Sequence, residues 1–257
     1  MFDRVYKYKD LLAVFAWREF IIRYKQTFFG VSWALFQPLS MMLLFVLVFG
    51  YILKVDSKGI PYPLFFLSGL LPWTLFSNST NYAIPSLTNH YSLITKIYFP
   101  REIIPLSGII VFLVDFMISF LLYILIVVIY GYEVTKIYFC LIPIFFIMIV
   151  FIISVGLCLS SLNVYYRDVK LASSFILQIL FFATPVFYTV NDIDTKLKFI
   201  IYLNPLTFVI ESFRNVTING VLPNLFTTII VFILVLLFFI FSYKLFVRME
   251  KAFADVI

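Results

Sequence analysis

The chain has 257 residues, 63% hydrophobic and only 12% charged, with a formal net charge of +6 and a single histidine. Soluble domains carry about 25% charged side chains, so this composition excludes a water-exposed globule and places the chain in a lipid bilayer. Its long unbroken apolar runs also exclude an outer-membrane barrel, whose strands of about ten residues alternate in polarity.

The first 30 residues do not cross. In "DLLAVFAWREFIIRYK" (10–25), Ala13, Trp17, Phe20 and Tyr24 recur at helical spacing as an uncharged face, while Arg18, Glu19, Arg23 and Lys25 interrupt the rest. The pattern predicts an amphipathic helix lying in the membrane interface, its basic residues near lipid phosphates. A plain topogenic anchor fits the same residues. Arg4, Lys7 and Lys9 could receive the pyrophosphate of a lipid carrier through charge-assisted hydrogen bonds, and positive-inside topology explains them equally well. The next apolar run is too long for a signal-peptide core and is expected to stay in the mature protein.

A hydrocarbon core of about 30 Å needs roughly 20 apolar residues per helical crossing. Six stretches qualify: 31–53, 64–84, 105–129, 137–160, 171–187 and 225–246. The second carries the polar run "SNSTN", and the fifth is short and meets Pro185, so these two give the weakest signal. Basic residues favour the cytoplasmic side. They gather before the first span, in the second connection (Lys96, Arg101), in the fourth (Arg167, Lys170) and after the last span (Lys244, Arg248, Lys251). Lys54, Lys58, Lys136, Lys196, Lys198 and Arg214 are left opposite. Six crossings with both termini cytoplasmic satisfy that distribution. The expected fold is a single all-α integral membrane domain over 1–257, with 1–30 holding the interface helix, 31–246 the spans and 247–257 a cytoplasmic tail.

In the second connection, "SLTNHYSLITKIYF" (86–99) sets Leu87, Tyr91, Ile94 and Tyr98 at helical spacing, with Asn89, Ser92 and Lys96 as a polar ridge. This predicts a short amphipathic helix parallel to the membrane, or an elbow whose apolar side rests on the bilayer. Pro100 then suits the first position of a new helix, and Glu102 in its first turn favours the positive end of the dipole. Asp115 is the only ionisable residue deep within a predicted span, a functional candidate by default. Hydrogen bonding inside the bundle, to the polar second span, is its competing role. Cys140 and Cys158 lie on one predicted helix about 27 Å apart, too far to pair. Beyond the fifth span, 197–203 and 206–213 are apolar but too short to cross, and Asn204-Pro205 breaks them. They fit a re-entrant pair dipping from the external face, or a surface hairpin. Glu211 and Arg214 are spaced to pair with each other.

Read in order, "REFIIRYKQTFFGVSWALFQPL" (18–39), "KIYFPREIIPLS" (96–107), "NVYYRDVK" (163–170), "FFATPVFY" (181–188) and "NPLTFVIESFRN" (204–215) resemble the membrane permease of type-2 ABC exporters. The similarity is to the branch that exports O-antigen and related polysaccharides or teichoic acids, and it covers about 18–244. It implies six spans, an interface helix, a coupling helix after the second span and two short external helices before the last. It also implies a homodimer seated on two copies of a separate ABC ATPase, a lipid-linked polysaccharide as substrate, and residence in the cytoplasmic (inner) membrane among its lipids. Asn89, His90, Leu93, Ile94 and Lys96 are then expected at the ATPase, flanked by Arg18 and Arg23 of the interface helix. Arg167 and Asp168 form a second contact candidate, or a solvated turn with its own ion pair. Trp33, Phe36, Phe182 and Tyr188 are the expected path residues, because aromatic faces stack on the C–H faces of sugar rings.

No G-x-x-x-x-G-K-[ST] phosphate loop occurs, so ATP and Mg belong to the partner and no cofactor is expected in this chain. No converging titratable groups for acid–base catalysis and no metal cluster can be assembled, and nothing points to nucleic acid. A permease for a drug or lipid is the alternative within the family. A gradient-driven carrier or channel, relying on Asp115, is the alternative from another class.

Overall fold

A computed structural model of the chain describes residues 1–25, 27–54, 59–190 and 195–253. Lys58, the side chain of Lys196 and the last tail residues, 254–257, lie outside what is described. Among the described residues every regular element is a helix. The chain opens with α1 (Phe2–Lys7) and α2 (Lys9–Tyr24), then α3 (Trp33–Phe45), which a 3-10 turn precedes and a π-helical segment, Val46–Ile52, extends. Next come α4 (Tyr62–Asn89), α5 (Tyr91–Lys96), α6 (Ile103–Ile129) and α7 (Leu141–Tyr165). The remainder is α8 (Asp168–Ala183), α9 (Thr195–Tyr202), α10 (Pro205–Arg214) and α11 (Leu225–Glu250).

Four of these stretches are long and apolar enough to cross a membrane: Gly30–Ile52, Ile103–Ile129, Lys136–Tyr165 and Leu225–Glu250. The two with the weakest sequence signal differ for separate reasons. With 28 residues α4 has ample length, but its polar residues lower its apolarity. It can carry them because it is the central helix, packed on α3, α6, α7, α8 and α10, and shows little of itself to lipid. The 16 residues of α8 reach about 24 Å at 1.5 Å per residue. It ends at Ala183, four residues before the expected 187, because Thr184 is extended (ψ 138) ahead of Pro185.

The main apolar core lies among α4, α6, α7 and α10 and includes Phe65, Phe66, Phe116, Tyr123, Ile144, Met148 and Phe213. A second cluster closes the end of the bundle that carries α5: Phe15, Leu87, Ile94, Phe99, Ile103, Ile104, Leu157, Phe246 and Phe253. Gly108 makes the α4–α6 contact possible, since a Cβ there would fall 2.0 Å from the Tyr82 ring.

Two local expectations are corrected. The helix expected over 86–99 is split, because α4 runs on to Asn89, the chain bends at His90, and only Tyr91–Lys96 forms the separate α5. The helix expected to start at Pro100 starts at Ile103, so Glu102 stands at its N-cap, with no side-chain cap bond, rather than inside its first turn. α2 meets the bundle beside the Ala13–Trp17–Phe20–Tyr24 stripe. Phe15, Ala16 and Tyr24 are buried, while Trp17 is 64% exposed.

Candidate functional site

A groove of about 640 Å³ lies between α3, α4 and α8. Trp33, Trp73, Phe181 and Phe182 supply aromatic faces, and Gln37, Ser77, Asn78, Asn81 and Gln178 supply amides and hydroxyls. The polar run "SNSTN" thus has a place: at helical spacing Ser77, Asn78 and Asn81 turn to the groove, while Ser79 and Thr80 are buried. Uncharged donors and acceptors interleaved with rings can bind a polar, ring-shaped, uncharged solute through many weak contacts. Of the expected path residues, Trp33 and Phe182 line this groove. Phe36 stacks on Phe29 instead, and Tyr188 packs against Phe187. Sequence reading missed Trp73 and Phe181; their spacing from the "SNSTN" run and from Gln178 was the available signal.

At the α5 end, charged side chains stitch the helices together. The Arg4 guanidinium donates to both Glu250 oxygens (3.0 and 3.1 Å) and lies 3.5 Å from Glu102. The Arg101 backbone N–H donates to Glu250 as well (3.2 Å), and its guanidinium to the Glu250 carbonyl. Adjacent Arg101 and Glu102 therefore join the start of α6 to α1 and to the end of α11. Glu102 is fully buried, and burial raises its carboxyl above the ordinary range. Lys7 and Lys9 are exposed, with Lys9 over the Tyr6 ring.

Asp115 pairs with α2, not with the polar second span. Its carboxylate accepts from Arg23 Nε at 3.1 Å and from the Tyr24 hydroxyl. Arg23 also lies over the Phe112 ring, 4.6 Å from its centroid. Arg18 is exposed on the same helix.

Among the residues expected at an ATPase, Asn89 and Lys96 are exposed, Leu93 is half-buried and Ile94 is 3% exposed inside the second apolar cluster. Exposed Arg167 and Asp168 stand at the α7–α8 turn.

His90 faces inward. Its Nδ1 lies 2.8 Å from the Ser86 carbonyl and so carries a proton, while Nε2 lies 3.3 Å from Glu19 Oε1 and needs a second proton to bond. Making both contacts at once requires the imidazolium, and Arg18 and Tyr82 are the other titratable neighbours of the pair. The bond to Glu19 raises His90 above its ordinary 6.5, against burial, and the bond to His90 lowers Glu19 below its ordinary 4.5. The Glu19 contribution is present above the unfolded carboxylate value and is lost as pH falls through the folded one. The His90 contribution is complete below the unfolded histidine value and is lost as pH rises through the folded one. Raising pH from 6 to 9 is therefore expected to loosen α2 from the α4–α5 junction. Protection factors over 15–22 in nanodiscs, that is exchange corrected for its intrinsic rise with pH, should fall across that range in the wild type, and His90→Gln should remove that fall.

The fold is that of a multi-pass helical membrane protein. The chain matches the family described as ABC-2 type transporter over residues 10–218, and it belongs to that family. It is 30% identical over 249 residues to an O-antigen export system permease protein RfbA of Klebsiella pneumoniae, covering 96% of this chain and 95% of that one. A protein of the same description from Myxococcus xanthus is 30% identical over 223 residues, 86% of this chain and 85% of the other. The polysialic acid transport protein KpsM of Escherichia coli is 24% identical over 209 residues, 79% of each chain.

Proposed function

We propose that this chain is the permease of an exporter that moves a lipid-linked, O-antigen-like polysaccharide outward across the inner membrane, powered by a separate ABC ATPase. The observation that carries the reading is the α3–α4–α8 groove, whose aromatic and amide lining suits sugar rings, in a chain similar along nearly its full length to O-antigen permeases. The reading takes α4 and α8 as crossings beside the four apolar helices, which gives six spans with both termini cytoplasmic. α9 and α10 then lie on the outer side as a re-entrant pair. A second copy of the chain closes the groove against the exposed apolar faces of α3 and α8. Asp115 does not act as a proton carrier in this reading, because Arg23 and Tyr24 already hold it.

The ATPase docks on the exposed side of α5, where Tyr91, Ser92, Thr95 and Lys96 face outward. Lys96→Glu is expected to leave expression and thermal stability unchanged while lowering both ATPase stimulation and surface polysaccharide at least several-fold. Ile94→Asp buries a carboxylate in an apolar cluster, at a cost of about 4 kcal/mol or more, and should reduce folded protein instead. Purification from the native membrane, with and without Lys96→Glu, tests the docking. Wild-type export and ATPase recovery by the Lys96 variant would reject it.

A further inference from the structure

A cavity of about 260 Å³ opens between α4, α7 and α8, on the other flank of α8 from the groove. Phe76 and Thr80 line it from α4, Val155, Leu159 and Leu162 from α7, and α8 lines it between 169 and 180. Three observations bear on its occupant.

The wall is hydrocarbon. Among the described residues no charged or amide side chain lines it, Ser173 donates its proton to the Lys170 carbonyl at 2.9 Å, and Thr80 Oγ1 is buried. An apolar cavity of about 150 Å³ stays free of water and takes benzene, so this larger one favours hydrocarbon over water. The length is that of one leaflet. Residues 169 to 180 cover about 17 Å along α8 at 1.5 Å per residue, against about 15 Å for half of the bilayer's hydrocarbon core. The exposed Tyr166 ring stands just before the first of them, as interfacial aromatics do. Finally, the mouth is open. Ala172 and Ile176 are exposed, and of the 16 residues of α8 only Ser173 and Leu177 are buried, so this helix rests lightly on the bundle.

We propose that this cavity is a binding site for one acyl chain of a bilayer phospholipid, and that the chain braces α8 against α7. The chain supplies the dispersion contacts that the two helices do not make with each other. Leu177 is 7% exposed and lines both the cavity and the groove, so an acyl chain lodged behind α8 steadies the groove wall. The site itself does not depend on what the groove carries. The prenyl tail of a lipid-linked substrate fits less well, because sugars seated in the groove put that tail on the opposite flank of α8. A second copy packed on Phe175 and Phe182 leaves the mouth free, since Ala172 and Ile176 lie about a quarter turn away at 3.6 residues per turn.

The test uses the full chain in nanodiscs that contain a phosphatidylcholine with a diazirine midway along one acyl chain, the labelled residues being mapped by mass spectrometry. Labelling over 155–162 and 172–180 should exceed that of the exposed Leu121 and Leu125 of α6 and Leu234 and Leu237 of α11 at least fivefold. Ala172→Phe fills the mouth and should cut labelling over 155–162 at least fivefold while leaving those four residues unchanged. Leu159→Phe, from the facing wall, should do the same and serves where the first variant folds poorly. Equal labelling of the cavity and the four control residues would reduce the site to ordinary contact with surrounding lipid and overturn it, as would labelling that neither variant lowers. A polyprenyl phosphate added to the discs should leave the pattern unchanged, and selective loss at the cavity would overturn the proposal in favour of the substrate's tail. Bracing is read separately in detergent, where added phosphatidylcholine should slow hydrogen exchange over 173–180 at least threefold in the wild type and much less in Ala172→Phe. No slowing in the wild type would overturn the bracing role.

Discussion

Gly69→Ala is expected to unfold the far end of the bundle, lowering the thermal midpoint in detergent and cutting the yield of folded protein. A Cβ at Gly69 would fall 2.6 Å from the Val186 carbonyl oxygen and 2.8 Å from Val186 Cα, both backbone atoms that cannot swing aside. The close approach is held by Arg214. Its Nε donates to Ser68 Oγ at 3.0 Å, and Nη2 lies 3.4, 3.1 and 3.2 Å from the carbonyls of Phe65, Pro185 and Val186. The guanidinium also stacks on Phe65, 3.8 Å from the ring centroid. Arg214→Ala leaves those acceptors without a donor and opens a void, which should cost about 3–5 kcal/mol. Arg214→Lys should recover part of this, since one ammonium keeps the charge but cannot span Ser68 and the carbonyls together. Wild-type midpoints for Gly69→Ala and Arg214→Ala would show that the 184–186 segment does not rest on α4.

Breaking the Asp115 cluster should give the second largest effect. Asp115→Leu strands Arg23 and removes the acceptor of the Tyr24 hydroxyl, so the end of α2 loses its hold on α6. Arg23→Leu alone leaves the carboxylate with only Tyr24. The double variant should be more stable than the sum of the singles predicts, with a coupling of about 1–3 kcal/mol in thermal unfolding. Additive losses would mean that the pair contributes nothing. If α2 transmits motion to the spans, Asp115→Leu also lowers ATPase stimulation while the α5 surface stays intact.

How much of this was legible depends on what each residue needed. The four apolar helices could be read from composition, because lipid contact demands it. The break at Asn204-Pro205 was legible too. Asn204 Oδ1 accepts from the Leu206 N–H at 3.0 Å, a local cap that needs no tertiary context. The inward face of α2 was not legible, since it contains Glu19, and a periodicity argument discards any stripe that holds a charge. Only the meeting with His90, 71 positions away in the sequence, makes Glu19 an inward residue. Arg214 was partly legible. Its spacing suggested a pair with Glu211, which is a charge neighbour, but it is 6% exposed and its hydrogen bonds go to chain segments distant in sequence. The groove was half legible: Trp33 and Phe182 stood out as aromatics, while the role of "SNSTN" depended on which side of α4 was left open by its neighbours.

The central claim is that this chain is a conduit driven by a separate motor. Proteoliposomes holding the chain alone, then the chain with its ATPase, can be compared for ATP-dependent movement of a lipid-linked polysaccharide. Neither ATP hydrolysis nor uphill transport is expected from the chain alone, and both are expected once the ATPase is added. Uphill transport by the chain alone under an ion gradient would contradict the account.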